Sequence, residues 1–311
     1  MRIPAAAAGP GLATILLNDI ATLAVWADEY VLPLAEAARR HGVDDPPPSR
    51  ARAALSEWDR WCHLLEQAVD DGVGGDGWLA DSTVTFLPAL ADPPTIYCAA
   101  ANYHDHLREM RSTKSFESPR TPLYFLAPPA SLAGHRGTTA RPHGGERFDW
   151  EVELAVIIGR EADHVPAARA HEVIAGYAVA NDLSVRDFAR RDDSPFFPDW
   201  IAMKGYAGCL PLGPAIVPAG RISDPMNLDL SLTVNGVERQ ASNTKNMIFS
   251  IAEQIEYLSA IAPLLPGDVL VTGTPAGTAA AWDGAYLAPG DTVVAQIQGL
   301  GRLETRIAAA G

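Results

Sequence analysis

Positive charge is what this chain lacks most for its size. Its 311 residues carry 24 Lys and Arg against 38 Asp and Glu, a formal net charge of -14. With no basic stripe to neutralise phosphates, nucleic acid and anionic membrane are excluded as main partners. Cysteine is scarce too: Cys62, Cys98 and Cys209 are odd in number and form no C-x-x-C pair. A reduced, cytoplasmic setting accounts for that most simply. No run of about 18 apolar residues suggests a membrane span. The Ala-rich stretch 4–18 runs into Asn18, Asp19, Asp28 and Glu29 with Arg2 as its only early positive charge, which does not fit a secretory signal. Also missing are G-x-G-x-x-G after a strand, G-x-x-x-x-G-K-[ST] and G-x-S-x-G. Nucleotide cofactors and serine-hydrolase chemistry therefore have no support.

What is present is 48% hydrophobic residues, enough for one or two domains with a sizeable core. Over 19–41, Leu23, Trp26, Tyr30, Leu34 and Ala37 recur at helical spacing, and Pro46-Pro47-Pro48 follows as a stop. Ser49 is a candidate N-cap for a second helix with Leu55, Trp58, Cys62, Leu65 and Val69 on one stripe. Residues 1–93 are expected to form a smaller helical supporting domain. From 94 to 311 the pattern turns to short strands: an α+β, β-dominated domain. Asn235-Gly236 between alternating apolar residues predicts a type I′ hairpin. Ile248, Ile251, Ile255 and Leu258 mark an amphipathic helix, with Asn243 or Thr244 as its cap. The Pro-Gly-Asp turns at 266–268 and 289–291 each lead into a strand.

The chemistry concentrates around the stretch from Phe148 to Gly159, which reads as one strand. Glu151 and Glu153 project from one face, while Trp150, Val152 and Leu154 line the other. Such a pair by itself is most simply a solvated sheet face. Asp182 ends a second apolar strand, Gly176 to Asp182, where an unliganded carboxylate would be costly. Three carboxylates make an all-oxygen set that suits Mg2+, Mn2+ or Ca2+ better than zinc. His106 and Glu109 share a helical face, giving an imidazole oriented by a carboxylate or a surface ion pair. His104 with His106 does not make a zinc site. Lys204, in an apolar stretch, either snorkels to solvent or stabilises a developing anion. The Thr272-Gly273-Thr274-Pro275 turn offers hydroxyls and an amide to a carboxylate.

Taken in order from about Thr95 to Ile307, these segments resemble the fumarylacetoacetate hydrolase family. The resemblance rests on Asn102-Tyr103 with His106 and Glu109, the Asp149 to Gly159 stretch, and Asn181-Asp182-Leu183-Ser184-Val185-Arg186-Asp187. Lys204 before Pro211-Leu212-Gly213-Pro214, Val234-Asn235-Gly236, Asn246 to Ser250, and Thr272 to Gly277 complete it. It implies a barrel-like roll of mixed sheets, assembled as a homodimer. It implies Mg2+ (or Mn2+ or Ca2+) held by Glu151, Glu153 and Asp182, with His106 and Glu109 on a lid as the water-activating pair. Lys204 would stabilise the oxyanion, and Tyr103, Arg186, Gly273 and Thr274 would meet a small oxo-acid substrate. Further pocket side chains would come from segments around 107–120 and 188–200.

The implied reaction is hydrolysis of a C–C bond in a 1,3-diketo, acylpyruvate-like acid, by water attack with the enolate charge drawn to the metal. A 2-oxo acid hydratase, isomerase or decarboxylase on the same metal site is the alternative, and an inactive binding protein of the same fold a third reading. Ala127, Ala189 and Ala207 stand where members often have Lys, Gln and Asp, and Asn102 replaces an Asp of the tyrosine-catabolic enzymes. These departures imply a smaller, more apolar pocket than theirs.

Overall fold

Two tight hairpins open the chain where the spacing predicts a helix. A computed structural model describes residues 9–111, 119–190, 193 and 198–310, with the backbone alone at 110 and 111. The expected pocket segments around 107–120 and 188–200 lie partly outside these residues, as does the Arg190 to Asp193 run. Strands Gly11–Leu17, Ile20–Ala27 and Tyr30–Pro33 come first, and only then the helix Leu34–Arg40. The turns between them are Asn18-Asp19 and Asp28-Glu29, all four with positive φ, the geometry of two-residue hairpins. Leu23 to Ala27 are all buried, so the strand has no polar face to betray its period. The helical reading of 19–41 thus holds for Leu34–Arg40 and is corrected to strands before it, and the first third is mixed rather than helical.

The second helix also differs in detail. It starts at Ala51 behind Arg50, with no side-chain cap from Ser49, and a 3-10 turn at Leu55–Glu57 precedes the helix Trp58–Asp70. That turn resets the phase, so Trp61, Leu64, Leu65 and Ala68 form the buried stripe. Further on, Ser250 caps the helix Ile251–Ile261 through a capping box with Glu253, in place of Asn243 or Thr244. Asn235 and Gly236 do form the two-residue turn between Asp229–Val234 and Val237–Asn243, both with positive φ.

The β-dominated expectation holds, in the form of two large mixed sheets. The strands of the first 93 residues are continuous with the larger one: Gly11–Leu17 pairs antiparallel with Leu210–Pro218, Leu12 opposite Ile216. From there the sheet runs through Ile174–Asn181, Val152–Ile158, Val269–Val271 and Ile96–Ala100 to an edge at Leu123–Leu126. A five-stranded sheet, including Asp229–Val234 and Thr292–Ile297, packs on one side. Val152, Leu154 and Val156 face Leu232, Val293 and Ala295 in that core. Ala155 and Ile157 face the opposite way, into the core shared with Leu64 and Leu65 of the helix Trp58–Asp70. The strand Val152–Ile158 is therefore buried on both faces, and Glu153 must be buried with it.

One buried histidine makes stability depend on pH. His135 is buried with its ring edge-on to Phe86 at 5.0 Å, and its Nδ1 accepts from the Glu304 amide at 3.1 Å. Burial, with the charges of Arg136 and Arg302 beside it, pushes its pKa down from 6.5 to about 3. The unfolded chain therefore binds a proton that the folded one refuses. This contribution is complete above pH 6.5 and is lost as pH falls from 6.5 toward 3, at up to roughly 1.4 kcal/mol per pH unit. His135→Asn, which keeps an acceptor for the amide, is expected to flatten the fall in melting temperature between pH 6.5 and 4.5. Parallel acid limbs for the two proteins would show that His135 is not the cause.

Candidate metal and catalytic site

Strand pairing brings the three acids together. Val152 lies opposite Asn181 and Glu153 opposite Ala180 in the antiparallel pair. Just past the pair, the Asp182 amide donates to the Glu151 carbonyl at 2.9 Å, and the Glu151 amide donates to Asn181 Oδ1 at 2.9 Å. The stretch read as one strand is broken here: Phe148–Asp149 pairs with Ser184–Val185, and Trp150 and Glu151 lie between that short ladder and Val152–Ile158. Glu151, Glu153 and Asp182 each offer an oxygen within 4.8 Å of the others, and all three are buried. Trp150, Val152 and Leu154 sit in the core behind them, as the alternation predicts.

Among the described residues, two cations hold this cluster. Lys204, only 4% exposed, does not snorkel to solvent. Its Nζ donates to Glu151 Oε2 at 2.7 Å and Asp182 Oδ2 at 2.5 Å. Arg186 donates through Nη2 to Glu151 Oε1, and through Nε to Asp149 Oδ2 at 2.9 Å. Asp149, which also accepts from the Ala279 amide at 2.7 Å, is the acid that sequence reading passes over. Its signal was its position two residues before Glu151.

Charge balance tests whether a metal fits. Asp149, Glu151, Glu153 and Asp182 set four buried acids against the two bases Arg186 and Lys204. Although burial opposes it, the charges of Lys204, Arg186 and His106 hold Glu151 down at about pKa 2. Glu153 has no ion-pair partner among the described residues: burial, then Asp182 and Glu151, push it well above the carboxylate range against the pull of Lys204 and the Gly273 amide. Burial lifts Asp182 to about 6 against the pull of Lys204. A set of buried oxygens with surplus negative charge fits a hard divalent cation. Tyr103 adds a further observation. Its hydroxyl is buried with no hydrogen-bond partner among the described residues, and burial followed by the charges of Glu153 and Asp105 raises its pKa.

His106 is carried on the helix His104–Arg111, with its Nδ1 3.1 Å from Glu109 Oε2. That orientation leaves Nε2 as the ring's other functional nitrogen, and His104 beside it is exposed. The Thr272–Thr278 loop packs between this helix and the acids. Gly273, at φ +96, donates its amide to Glu153 Oε2 at 2.5 Å. A Cβ there would come within 2.8 Å of Asn102 Cβ, so the close approach requires glycine. Asn102 clamps the loop from behind, its amide donating to the Thr272 carbonyl at 2.8 Å. The Thr274 hydroxyl donates to the Val152 carbonyl at 3.0 Å and accepts from Gln240 Nε2 at 2.9 Å. Gly273 and Thr274 are thus turned onto the acid strand, and Arg186 onto two of the acids. Gln240, which also accepts from the Val152 amide, has no local sequence signal.

Comparison with known proteins places this site in a family. The profile for the fumarylacetoacetate (FAA) hydrolase C-terminal region matches residues 95–308. An uncharacterized protein of Pyrococcus abyssi is 41% identical over 217 residues, 70% of this chain and 91% of that one. The 4-hydroxyphenylacetate degradation bifunctional isomerase/decarboxylase of Salmonella dublin is 39% identical over 72% of this chain, which spans only 49% of that protein. Among solved structures, a fumarylacetoacetate hydrolase from Exiguobacterium antarcticum is similar with a TM-score of 0.77 at 26% identity, covering 96% of this chain and 99% of the other. Relatives of one fold thus include hydrolases, isomerases and decarboxylases. By the match over residues 95–308, this chain belongs to the fumarylacetoacetate hydrolase family.

Proposed function

We propose that the chain is a metal-dependent hydrolase that cleaves a C–C bond in a small acylpyruvate-like 1,3-diketo acid. The observation that carries this reading is the His106–Glu109 pair, oriented through Nδ1 at 3.1 Å, on a helix that meets the same Thr272–Thr278 loop whose Gly273 amide holds Glu153. Glu151, Glu153 and Asp182 would hold the cation, Mg2+ in the first instance and Mn2+ or Ca2+ as alternatives. When bound, it would polarise the oxo oxygens of the substrate as a Lewis acid.

The protein's own groups supply the rest. Glu109 keeps the His106 ring oriented through Nδ1, so that Nε2 takes a proton from water. The water oxygen bonds to the remote carbonyl carbon, the bond from that carbon to the methylene breaks with its electron pair left on an enolate, and the proton held by His106 is returned to the methylene carbon, leaving a carboxylic acid and a 2-oxo acid. Lys204 stabilises the oxyanion, with Arg186 behind it. Tyr103 offers the substrate its unpartnered hydroxyl. The Gly273–Thr274 turn acts in part through Glu153, which it fixes.

A second reading, isomerisation or decarboxylation of a 2-oxo acid, is favoured by the Salmonella relative's isomerase/decarboxylase name, whereas Ala189, where decarboxylase-like members have Gln, counts against decarboxylation. Product analysis with acetylpyruvate and oxaloacetate in Mg2+ separates the two. Acetate plus pyruvate from the first supports hydrolysis; CO2 from the second without cleavage of the first overturns it. His106→Ala is expected to cut turnover by about 10²–10⁴-fold, the range of general-base catalysis, while Mn2+ and oxalate still bind. Unchanged turnover would place the base elsewhere.

The same proposal covers organisation. All the proposed site residues lie within 94–311, with 1–93 as a supporting unit. Leu123 and Leu126, exposed at the sheet edge, are apolar surface that a second copy would cover in a homodimer. Among the described residues no helix is long and apolar enough to cross a membrane, and we place the protein in the cytoplasm.

A further inference from the structure

Helix His104–Arg111 carries the proposed base, yet the bonds that seat it come from residues on either side of His106. Asp105 and Glu109 are four residues apart and so share one helix face. Both reach the same loop at successive amides: Ala276 N lies 3.4 Å from Asp105 Oδ1, and Gly277 N lies 3.3 Å from Glu109 Oε1 and Oε2. Gly277 sits at φ +100, where a Cβ would fall 2.2 Å from the Arg239 carbonyl, so the loop has little freedom to move its amide.

Asp105 has a second tie. Its Oδ2 accepts from Ser242 Oγ at 2.9 Å, 137 residues away on the strand Val237–Asn243. Ser242 Oγ itself accepts from Asn246 Nδ2 at 3.1 Å, which leaves its one proton directed at Asp105. Asp105 Oδ1 also accepts from the His106 amide at 2.8 Å. One carboxylate therefore joins the peptide of His106 to a strand and to the loop that holds Glu153.

We propose that Asp105 is a positioning residue, which with Ser242 fixes the helix against the Thr272–Thr278 loop and so sets where the His106 ring stands beside the acid cluster. Asp105 is assigned no proton transfer: its oxygens accept from the His106 amide, the Ala276 amide and Ser242 Oγ. The proposal rests on the hydrolase reading for its effect on turnover, but the tether itself is testable without a substrate.

The experiment compares wild type with Asp105→Ala, Asp105→Asn and Ser242→Ala by hydrogen–deuterium exchange, Mn2+ titration calorimetry and acetylpyruvate kinetics. Exchange over 104–111 is expected to rise in Asp105→Ala and Ser242→Ala, while 152–158 stays protected. Mn2+ affinity should stay within about threefold, because the acids are untouched. On acetylpyruvate, kcat should fall by about 10- to 100-fold in Asp105→Ala with KM nearly unchanged, as a displaced catalytic group does. Asp105→Asn, which keeps the Oδ1 acceptor, should fall between it and wild type. Unchanged exchange over 104–111 in Ser242→Ala, which leaves Asp105 in place should the Asp105 variants not fold, overturns the tether. Faster exchange with unchanged kcat overturns the positioning role. If wild type itself leaves acetylpyruvate intact, the hydrolase reading fails, and the exchange result still decides the tether.

Discussion

Glu153→Gln is expected to abolish the stabilisation that a divalent cation gives the wild-type protein. A cation at 100 times its dissociation constant stabilises the folded state by about 2.7 kcal/mol. For a chain of this size that corresponds to a rise of several degrees in melting temperature. Glu153 is buried, and it is the acid that no cation contacts among the described residues. Gln has the same shape and keeps an oxygen for the Gly273 amide, while removing the repulsion from Asp182 and Glu151. The metal-free variant should therefore melt at or above wild type near pH 7, yet gain nothing from Mn2+. Turnover should drop on the order of 1000-fold, the worth of several kcal/mol of Lewis-acid stabilisation. Melting curves in EDTA and in Mn2+ check the first part. An undiminished Mn2+ shift in Glu153→Gln would sink the assignment of this carboxylate to a metal.

How far such a site shows in sequence depends on how local its signals are. The parity of Glu151 and Glu153, the strand-end position of Asp182 and the three-residue spacing of His106 and Glu109 are all short-range patterns, and the structure gathers these residues. Asp149 shares the parity of the glutamates but reads as part of the strand. Its role appears only through Arg186, 37 residues on. Ser242 and Gln240 act on residues 137 and 34 positions away, and no window along the chain contains both partners. The opening strands are missed for a different reason. Buried on both faces, they lack alternation, and their turns use Asn-Asp and Asp-Glu instead of a glycine pair. Those turns cost conformational strain that Gly would spare.

Lys204 is where placement most changes the expected chemistry, and Lys204→Met should show it. From sequence the ammonium is expected to face substrate; in the structure it lies between Glu151 and Asp182, at 2.7 and 2.5 Å, shielded from water. Although burial opposes it, the two carboxylates raise its pKa above the ordinary lysine value. Removing one partner of a buried ion pair costs about 3–5 kcal/mol, because the other is left uncompensated. In Lys204→Met Asp182 loses its ammonium partner, and Glu151 is left with Arg186 alone among the described residues. The metal-free variant should therefore melt roughly 10 °C below wild type. A divalent cation answers the same negative charge, so Mn2+ should restore more of the loss than it adds to wild type. Turnover should stay low even in saturating Mn2+, since the oxyanion has lost its donor. Melting both proteins in EDTA and in Mn2+ separates these effects. If the Mn2+ shift is equal in the two, Lys204 and the cation do not share the charge of Glu151 and Asp182, and the ammonium acts on substrate alone.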